Sequence, residues 1–592
     1  MIRPRAGRRG GYRWEVAPPW AGAAEAARRA RITPLIAQIL HNRHVDGPDD
    51  IRRFFDPKLT DLHPPELLPG IEAAADRIAK AVRSGDKICI YGDYDVDGMT
   101  AVAILFRCLM LHGAEADYYV PHRLEEGYGV NADAMRVIAA SGAKLLVTVD
   151  CGISAVAELA EAARLGMDVI VTDHHAPPEE LPAAVAVVHP ALGEGAYPNP
   201  NLSGAGVAFK LAWQVAKAIC GRQRVDEPMR NFLLEATSLA ALGTIADVVP
   251  LTGENRVLAT YGLQGLAATA HAGIRALLES AGLTGTKLDA QHVGFALGPR
   301  LNACGRMGHA RLAVELLARA DAGRCRRIAE HLERQNNRRR EVEREIAAVA
   351  IERVERGELP APADHAVVAA GKDWHAGVVG IVASRVVDRF ARPAVIIALD
   401  GQMGRGSARS IPGFNMHDAL AACADHLESF GGHAMAGGLT VRAEKVEDFA
   451  RAFAAYAAEN LDADLLTPVL RIDAETSLSA LSYPVVQRLE RLAPFGVGNP
   501  RPVVAARGVR ILRAPQRMGR AGAAVNFIVA QDAAGVTGRG ARMRCVGFGM
   551  GHLADELAGV NEVDLAAEPV LNHYNSSTSV ELHVKDVRLP QA

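Results

Sequence analysis

The stretch KICIYGDYDVDGMTA, residues 87–101, combines a short apolar run with a dense cluster of acidic residues. Three aspartates follow the apolar run on alternate positions, at Asp93, Asp95 and Asp97. Carboxylates held this close repel one another, and the pKa of such a group rises unless a cation neutralises the cluster. The pattern therefore predicts a cation site directly after a buried strand.

Two other interpretations of this stretch are possible. The pattern D-x-D-x-D-G also begins an EF-hand loop, which needs a glutamate at its twelfth position. Counted from Asp93, that position is Ile104, inside an apolar segment, so the EF-hand interpretation fails. The simpler alternative is a turn in which Asp97, ahead of Gly98, caps a helix that begins at Met99. One aspartate would fit that alternative, but three on alternate positions favour the cation site.

The whole chain narrows the class of protein. A chain of 592 residues is too long for one hydrophobic core, so two to four domains are expected. The composition, 49% hydrophobic with a net charge of −2, is typical of a soluble globular protein, so any nucleic-acid surface must be local. The eight cysteines lack C-x-x-C spacing, which argues against a zinc site or disulfide framework and indicates a reducing cytoplasm.

Neither the N-terminus nor the longest uncharged run predicts a membrane segment. The N-terminus is basic without the apolar region of a secretory signal, and we expect it to be a solvated tail, with an organellar presequence as the alternative. The run VLATYGLQGLAATAHAGI, residues 257–274, contains glutamine, histidine and glycines and is a poor membrane span. We therefore expect no membrane association.

From about residue 85, short β-branched runs alternate with alanine-rich helical stretches. This alternation predicts a parallel sheet with crossover helices, and such sheets bind ligands beyond the carboxyl ends of their strands. Acidic residues and two histidines follow successive apolar runs, namely Asp93, Asp150, Asp173, His174, His175 and Asp247. We expect these side chains to converge at one end of the sheet.

The predicted ligand set indicates a type of chemistry. Carboxylate oxygens with one or two imidazoles suit Mn²⁺ or Mg²⁺ better than they suit a thiolate-binding metal. Two divalent ions that share a carboxylate are a standard arrangement for phosphoester hydrolysis, since one activates water and both stabilise charge on phosphoryl oxygens. The sequence thus favours a metal-dependent phosphoesterase.

The second half of the chain has three recognisable segments. Residues 310–357 contain no proline and dense mixed charge, which predicts a long helix between domains. Strands are predicted at 365–371 and 394–400, ahead of a glycine-rich stretch at 429–441. These features indicate a second α/β domain.

The last segment carries a local excess of positive charge. Nine arginines and a single acid, Asp532, lie between Arg501 and Arg544 on predicted short strands. A basic patch on such strands is typical of an oligonucleotide-binding (OB) barrel. Phe527 and Phe548 are the nearest candidates for base stacking, although either could belong to the core.

Several motifs together resemble the DHH phosphoesterase superfamily. GDYDVDG (92–98), VTVDCG (147–152), the tripeptide at 173–175 and ADVVPL (246–251) match its metal motifs. GGHAMAGG (431–438) resembles the companion DHHA1 domain. The order of segments, from about residue 60 to near the C-terminus, is similar to the bacterial single-strand-specific exonucleases of the superfamily.

The resemblance implies an α/β protein with a parallel-sheet DHH domain, a long connecting helix, an α/β DHHA1 domain and a C-terminal OB-like β-barrel. The expected divisions are an N-terminal segment (1–60), the DHH domain (61–310) and the connecting helix (311–357). They are followed by the DHHA1 domain (358–462) and the OB-like domain (463–592).

The resemblance also implies an activity and partners. The expected reaction is Mn²⁺- or Mg²⁺-dependent hydrolysis of single-stranded DNA from the 5′ end to 5′-mononucleotides, in DNA repair and recombination. Single-strand-binding protein and a repair helicase are expected partners of a monomeric, cytoplasmic enzyme. The alternatives are a DHH phosphodiesterase acting on short oligoribonucleotides or cyclic dinucleotides, a pyrophosphatase, and a replication scaffold with a degenerate site.

Roles of individual residues follow from the same resemblance. The implied metal ligands are Asp93, Asp95, Asp97, Asp150, His174 and Asp247. Asp150 is the candidate bridging ligand, and Asp173 is expected to orient a ligand through a hydrogen bond. His175 is expected to face the scissile phosphate as proton carrier or charge stabiliser. Whether Asp93 or Asp95 contacts metal directly is left open.

Substrate contacts are expected in glycine-bearing segments, where arginine and freed backbone amides commonly bind phosphate. The candidates are Arg123, Arg300, Asn302, Arg306, Ser407, Arg409 and His433. By the resemblance, Arg123, Ser407 and Arg409 would bind the 5′ phosphate, while Arg306 and His433 would contact DNA near the metals. The alternative is that they are ordinary surface residues of an arginine-rich chain.

Overall fold

A computed structural model describes residues 11–123, 125–127, 129–193, 197–221, 224–533, 536–574 and 577–589. The chain divides into two compact units. The first unit contains Asp56–Arg339 and Ala493–Pro500, and the second contains the segment up to Phe55, Arg340–Leu492 and the chain from Arg501 onward. Among the described residues, every helix is too short or too polar to span a lipid bilayer.

The N-terminal segment is folded into the second unit. Its elements are β1 (Arg13–Val16), α1 (Ala23–Ala30), α2 (Pro34–His41) and α3 (Pro48–Phe55). Trp14 of β1 donates a hydrogen bond of 2.7 Å to Asp586 Oδ2, and its ring lies under the guanidinium groups of Arg507 and Arg588 at 5.0 and 4.5 Å. The expectation of a solvated tail is therefore wrong for this part of the N-terminus, because an indole and a parallel strand pairing bind it to the unit.

The first unit is built on a sheet flanked by helices. Its strands are β2 (Ile88–Gly92), β3 (Ala116–Tyr119), β4 (Leu145–Val149), β5 (Asp168–Thr172) and β6 (Ala186–Val188). Its helices are α4 (Ile71–Ser84), α5 (Val96–Leu111), α6 (Ala132–Ala140), α7 (Val156–Arg164), α8 (Gly204–Cys220), α9 (Glu227–Ala246), α10 (Gly253–Ala267), α11 (Ala272–Ser280), α12 (Ala290–His292), α13 (Gly298–Met307) and α14 (Arg311–Ala318). Short 3₁₀ turns cover Leu59–Asp61 and Pro65–Leu67, and a π-helical turn, Val293–Leu297, joins α12 to α13.

All five strands run parallel in the order β3-β2-β4-β5-β6, which confirms the predicted parallel sheet. Both faces of the sheet are buried, since Ile88 and Ile90 pack on one side while Cys89 and Tyr91 pack on the other. This explains why the strands read as continuous apolar runs. The strand order reverses between β2 and β4, and such a reversal leaves a ligand crevice at their carboxyl ends.

The strand register brings the polar residues to one edge. It aligns the last residues of four neighbouring strands, Gly92, Val149, Thr172 and Val188. The residues that follow them are all polar, namely Asp93, Asp150, Asp173 and His189. The pairing of the strands alone therefore places three acids and a histidine beside the crevice.

The predicted helix over 310–357 is two helices. Residues 311–318 form α14, and the long helix α15 is Ala322–Arg356. Asp321 ends the gap between them, because its Oδ1 accepts hydrogen bonds from the backbone N–H groups of Gly323 and Arg324 at 2.8 and 2.9 Å. This local cap starts α15 afresh.

The middle of the second unit is a mixed sheet in the order β10-β11-β9-β8-β7, with β7 and β8 alone parallel among its pairings. The strands are β7 (Val367–Lys372), β8 (Ala394–Asp400), β9 (Met403–Arg409), β10 (Ser429–His433) and β11 (Ala436–Arg442). The helices are α16 (Val379–Phe390), α17 (Met416–Ala422) and α18 (Val446–Asn460), with 3₁₀ turns at Ala424–His426, Ala443–Lys445 and Ala463–Leu466. The strands predicted at 365–371 and 394–400 are confirmed as β7 and β8.

The C-terminal part of the second unit is a closed barrel. Its elements are β12 (Val469–Ile472), β13 (Ala474–Glu475), α19 (Tyr483–Glu490), β14 (Val504–Met518), β15 (Ala524–Ala533), β16 (Val536–Phe548), α20 (Leu553–Glu556), β17 (Glu562–Tyr574) and β18 (Ser577–Arg588), with 3₁₀ turns Leu478–Ala480 and Arg520–Gly522. Strands β14, β15, β16, β18 and β17 pair in turn, and β14 pairs again with β17. This closure confirms the predicted OB-like barrel.

The two aromatic residues considered for stacking in the barrel have different surroundings. Phe527 is 1% exposed and belongs to the barrel core, so it is unavailable to a base. Phe548 is 48% exposed, and its ring stands edge-on to that of His583 with centroids 5.1 Å apart.

Candidate active site

The GDYDVDG turn begins the site. Asp95 caps α5, because its Oδ1 accepts hydrogen bonds from the N–H groups of Asp97 and Gly98 at 2.9 and 3.1 Å. Asp95 is therefore the cap, and the helix begins at Val96. The simpler alternative from the sequence, a cap at Asp97 and a helix from Met99, is wrong. A Cβ atom on Gly98 would lie 2.7 Å from the backbone nitrogen and oxygen of Asp93, so this close turn requires glycine.

Asp97 is held by the N-terminus of α8. Its two carboxylate oxygens accept hydrogen bonds from the N–H groups of Gly204 and Ala205 at 2.6 and 3.0 Å. Two glycines allow this close packing: a Cβ on Gly243 of α9 would overlap Asp97 Oδ1, and one on Gly204 would overlap Asp150 Oδ1. Sequence reasoning missed both glycines, whose signals were the small residues in SGAG and ALGT.

Asp150 occupies an uncommon backbone conformation. Its φ is 62°, in the left-handed region that few residues other than glycine adopt, and such strain often accompanies functional sites. The side chain is buried, and its Oδ1 lies 3.0 Å from His174 Nε2. The strained turn therefore directs the carboxylate towards the histidine.

Asp247 comes from a different kind of element. The apolar run before it is helix α9, and Asp247 follows the last helical residue, whereas Asp93, Asp150 and Asp173 follow strands. Its Oδ2 lies 3.6 Å from His174 Nε2. The C-terminal end of a helix dipole is negative and disfavours a carboxylate, so a cation beside Asp247 would be stabilising.

All six predicted metal ligands converge. In three overlapping groups, ligand atoms lie within 4.8 Å of one another, and the groups are Asp93–Asp95–Asp150, Asp150–His174–His175 and Asp97–His174–Asp247. Three buried atoms in this cluster make no hydrogen bond among the described residues, and they are Asp93 Oδ1, Asp150 Oδ1 and His174 Nε2; the last two are 3.0 Å apart but form an ion contact without a hydrogen bond. Buried polar atoms without partners are costly, and a bound divalent cation would satisfy these three. The residues present therefore fit a metal centre.

The electrostatics of the cluster lead to the same conclusion. Burial, followed by the charge of Asp95, raises the pKa of Asp93 to about 8 and that of Asp97 to about 7. Burial, followed by the charge of Asp97, raises the pKa of Asp247 to about 8 and raises that of Asp150 as well. The charges of Arg123 and His175 offset this rise only in part for Asp93, as does that of His175 for Asp247, and a divalent ion would supply the remaining compensation.

The two adjacent histidines have opposite tendencies to ionise. Burial, followed by the charge of His175, lowers the pKa of His174 to about 4. Burial is the largest single effect on His175 and opposes its protonation, but the 2.7 Å hydrogen bond between its Nδ1 and Asp173 Oδ1 and the charges of Asp173, Asp247 and Asp93 together outweigh it and raise the pKa to about 9. Near neutral pH these shifts favour a neutral His174, as a metal ligand requires, and a protonated His175.

Asp173 and His189 fix the turn that carries both histidines. Asp173 accepts hydrogen bonds from the backbone N–H groups of Ile153, His174 and His175 at 3.0, 2.7 and 3.1 Å. His189, missed by sequence reasoning, accepts a hydrogen bond at Nδ1 from the N–H of Ala191, so its Nε2 donates to the carbonyl oxygen of His175 at 2.7 Å. Its only sequence signal is its place after a further apolar run.

Two predicted substrate arginines lie beside the metal turn. The guanidinium of Arg123 is 4.7 Å from the centroid of the Tyr94 ring. Burial raises the pKa of Tyr94 to about 12, while the nearby charges of Arg123 and Arg306 act in the opposite direction. Both arginines are therefore close to the residue that separates Asp93 from Asp95.

Arg300 and Asn302 lie on α13 and face the interior of the unit. Arg300 is 6% exposed, its Nε lies 2.5 Å from Glu333 Oε2, and its Nη1 donates to the carbonyl of Ala296 at 2.8 Å. Asn302 Oδ1 is buried without a hydrogen-bond partner among the described residues. Arg300 thus connects α13 to α15 and is not free to meet a phosphate in this arrangement.

The other three predicted substrate residues lie on the mixed sheet of the second unit. Arg409 and His433 are both paired with Ala436 of β11, so they flank it at one level. Arg409 Nη1 donates to Ser407 Oγ at 3.1 Å. A Cβ on Gly380, near the N-terminus of α16, would lie 2.9 Å from Ser407 Oγ, so that helix end approaches the pair closely. A helix N-terminus beside arginine is favourable for an anion.

The basic segment of the barrel is partly neutralised. Arg507 is bonded to Glu475 and Asp564, Arg544 to Glu581, and Arg517 to Asp555, and all of these acids lie outside 501–544. The exposed Arg513 and Arg542 lie on the strands β14 and β16 of the barrel wall. The charge available to a ligand is therefore smaller than the composition of the segment indicates.

Comparisons with known proteins agree with this architecture. The DHH family N-terminal domain matches residues 87–244, the DHHA1 domain matches 363–459, and the RecJ OB domain matches 472–586. The single-stranded-DNA-specific exonuclease RecJ of Bacillus subtilis (strain 168) is 37% identical over 582 residues, covering 98% of this chain and 71% of that protein. This chain belongs to the RecJ family.

Other RecJ proteins support that assignment. The single-stranded-DNA-specific exonuclease RecJ of Escherichia coli (strain K12) is 38% identical over 489 residues, covering 80% of this chain and 83% of that protein. The crystal structure of RecJ in complex with Mn²⁺ from Thermus thermophilus has a TM-score of 0.80 and 32% identity, covering 98% of this chain and 80% of that chain. The RecJ fold thus extends over nearly all of the chain.

Proposed function

We propose that this chain is a metal-dependent exonuclease that degrades single-stranded DNA from the 5′ end to 5′-mononucleotides. The observation that carries the proposal is the convergence of six predicted ligands around three buried atoms that make no hydrogen bond among the described residues. The relatives that are named single-stranded-DNA-specific exonucleases supply the substrate class. The direction of degradation follows from the family resemblance.

The metal ligands we propose are Asp93, Asp95, Asp97, Asp150, His174 and Asp247, holding Mn²⁺ or Mg²⁺. Asp150 and His174 each belong to two of the three ligand groups, and Asp150 is the carboxylate of the two, which supports the proposal that it would bridge two ions. When bound, the ions supply activation of the attacking water and neutralise charge on the phosphoryl oxygens. The carboxyl ends of the strands and the N-terminus of α8 hold the carboxylates in place before metal binds. Metal binding therefore needs little rearrangement of these side chains.

His175 is the group we propose to act on the reacting phosphodiester. Its Nδ1 is hydrogen-bonded to Asp173, which fixes the orientation of the ring, and we propose that Nε2 donates to a substrate oxygen. It would stabilise negative charge in the transition state and protonate the departing 3′ oxygen. Asp173 acts as a positioning residue, and His189 fixes the backbone carbonyl of His175.

The substrate contacts we propose fall into two sets. Arg123 and Arg306, beside the metal turn, bind phosphates of the strand, while Ser407, Arg409 and His433 with the N-terminus of α16 form a phosphate subsite. Bidentate arginine and backbone amides are well suited to the 5′ phosphate. Arg300 and Asn302 on α13 stay predicted substrate contacts, although Arg300 is paired with Glu333 in this arrangement.

The wider setting is proposed on the family resemblance. We propose single-stranded DNA as the ligand, with single-strand-binding protein and a repair helicase as partners. We propose that the enzyme is a cytoplasmic monomer in DNA repair and recombination, with the domain divisions expected from the sequence. Exposed barrel arginines would bind phosphates of the single strand.

One assay tests the proposal against its alternatives. The protein is incubated with Mn²⁺ and 5′-labelled single-stranded DNA, duplex DNA, short RNA or a cyclic dinucleotide. We expect labelled mononucleotide to be released chiefly from single-stranded DNA. Preferential cleavage of short RNA or the cyclic dinucleotide would instead establish the phosphodiesterase alternative, and no cleavage at all would point to the scaffold.

The variant Asp150→Asn tests the role of the metal cluster. We expect hydrolysis to fall by about 10³-fold or more, because this residue connects two ligand groups. The melting temperature in chelator should stay equal or rise, since a buried carboxyl group under repulsion is removed. Asp133→Asn, on the exposed face of α6, is the matched control and should hydrolyse DNA normally. An active Asp150→Asn protein would contradict the proposed site.

A further inference from the structure

The π-helical turn between α12 and α13 presents an exposed aromatic residue. Phe295 is 58% exposed, whereas Val293 and Leu297 of the same turn are buried. A π turn places an extra residue in the helix and is frequent at functional sites. The turn thus buries its flanking apolar residues and leaves one aromatic ring in solvent.

The helix that follows this turn packs against the metal-binding segments. A Cβ on Gly298 would lie 3.7 Å from Ala246 Cβ and 3.9 Å from Val96 Cγ2. Ala246 precedes the ligand Asp247, and Val96 separates Asp95 from Asp97. Phe295 therefore lies three residues before Gly298, which packs against both metal-binding segments.

The turn is also held firmly. The carbonyl of Ala296, next to Phe295, accepts a hydrogen bond from Arg300, which is itself bonded to Glu333. These contacts hold the backbone on one side of Phe295 in place. Another exposed apolar side chain, that of Val248 (62% exposed), follows the predicted ligand Asp247 directly. A rigid aromatic surface loses little conformational freedom when a flat ligand binds to it.

We propose that Phe295 is a stacking subsite for one nucleobase of the single strand, next to the metal centre. The inference rests on the proposed function, since Arg123 and Arg306 would hold the phosphates of that strand on the same unit. A base and a phenyl ring stack without hydrogen bonding, so the subsite accepts any of the four bases. This suits an enzyme that degrades a strand without regard to sequence.

The test is a cycle of variants and abasic substrates. Single-stranded DNA is prepared with one abasic site at each of the first several positions, and KM and kcat are measured with Mn²⁺. For the unaltered protein we expect one position at which the abasic site raises KM by about tenfold. In Phe295→Leu that penalty should disappear, while KM for intact DNA rises by a similar factor; in Phe295→Trp the penalty should return.

Controls separate stacking from a structural effect. Leu234→Ala removes another exposed apolar side chain, about 19 Å along α9 from Asp247, and should leave the abasic profile unchanged. An active Phe295→Leu protein with the unaltered KM and the unaltered abasic profile would overturn the inference alone. If the unaltered protein hydrolyses no single-stranded DNA, the proposed function fails and the inference fails with it.

Discussion

At the scale of single residues, the adjacent histidines of the site show how position determines chemistry. His174 turns inward towards Asp150 and is kept neutral by burial, so its nitrogen is available as a ligand. His175 is tied to Asp173, whose negative charge keeps the imidazole protonated. The two identical side chains thus have pKa values shifted in opposite directions, because the two rings point into different surroundings.

The raised pKa values predict a pH dependence of stability in the metal-free protein. Between pH 6.5 and 8, Asp93, Asp97 and Asp247 in the folded chelated protein still hold protons that the unfolded chain has lost. The native state then binds more protons than the unfolded state, so the free energy of unfolding falls as pH rises. Thermal melts in chelator should show a lower melting temperature at pH 8 than at pH 6.5.

Addition of Mn²⁺ should reverse this trend. Metal binding requires ionised carboxylates, so the rise in melting temperature on adding Mn²⁺ should be larger at pH 8 than at pH 6.5. Asp247→Asn removes one of the raised groups and should make the pH dependence in chelator shallower. A chelated protein that is more stable at pH 8 would contradict the electrostatic account of the cluster.

At the scale of secondary-structure elements, the site depends on how closely two helices approach the turn after β2. The N-terminus of α8 binds Asp97 through its backbone amides, and α9 passes close enough that Gly243 has no room for a side chain. Neither helix carries its key contact in a charged side chain. The metal centre is thus built from backbone geometry as much as from ligands.

Gly243→Ala should weaken metal binding. In an ordinary helix, this change would add about 1 kcal/mol of stability through helix propensity. Here the added methyl group would displace Asp97, and we expect the affinity for Mn²⁺ to fall by about tenfold or more, as is common when the support of a ligand is disturbed. Calorimetric titration with Mn²⁺ measures the effect.

Gly323→Ala is the matched control for that experiment. Gly323 lies in α15, and a Cβ there would meet only the side chains of Asp321 and Arg327, at 3.2 and 3.9 Å. Its Mn²⁺ affinity should equal that of the unaltered protein. If Gly243→Ala binds Mn²⁺ as tightly as Gly323→Ala does, close helix approach is not what holds Asp97.

At the scale of the whole molecule, the net charge is close to zero, although positive charge is concentrated in the barrel segment 501–544. The net charge is −2, and several barrel arginines are already paired with acids of other strands. The exposed Arg513 and Arg542 are therefore the better candidates for phosphate contacts than the segment as a whole. A strand held by few charges should still show a measurable dependence on salt.

Neutralising one of these arginines should change the salt dependence by a defined amount. For Arg542→Gln, the slope of log affinity against log salt for a long single strand should become shallower by about 0.7, the value for one phosphate contact. Hydrolysis of a trinucleotide should be unaffected, because the barrel contacts are proposed to serve the binding of long strands. Binding is measured by fluorescence anisotropy at several salt concentrations.

Arg471→Gln provides the comparison. This arginine is highly exposed on β12, outside the closed barrel, and should leave the slope unchanged. Equal slopes for the Arg542→Gln and unaltered proteins would show that this face of the barrel does not contact the strand.

The sequence by itself determined the parallel sheet and the ligands that follow its strands. Apolar runs ending in Asp93, Asp150 and Asp173 predicted both the fold class and the cation site, because strand ends in a parallel sheet are neighbours whatever the connections between them. The OB-like barrel was likewise predictable from short strands and local charge. In each case the information lies in the order of residues along one element.

Only the tertiary structure decided the features that depend on contacts between distant elements. Asp247 ends a helix, Gly204 and Gly243 admit two helices to the carboxylates, and His189 fixes His175 through a backbone carbonyl. Arg300 resembles a phosphate ligand in sequence but forms an internal ion pair. These assignments could not be read from local patterns, because close packing and hydrogen-bond partners are set by residues far away in the chain.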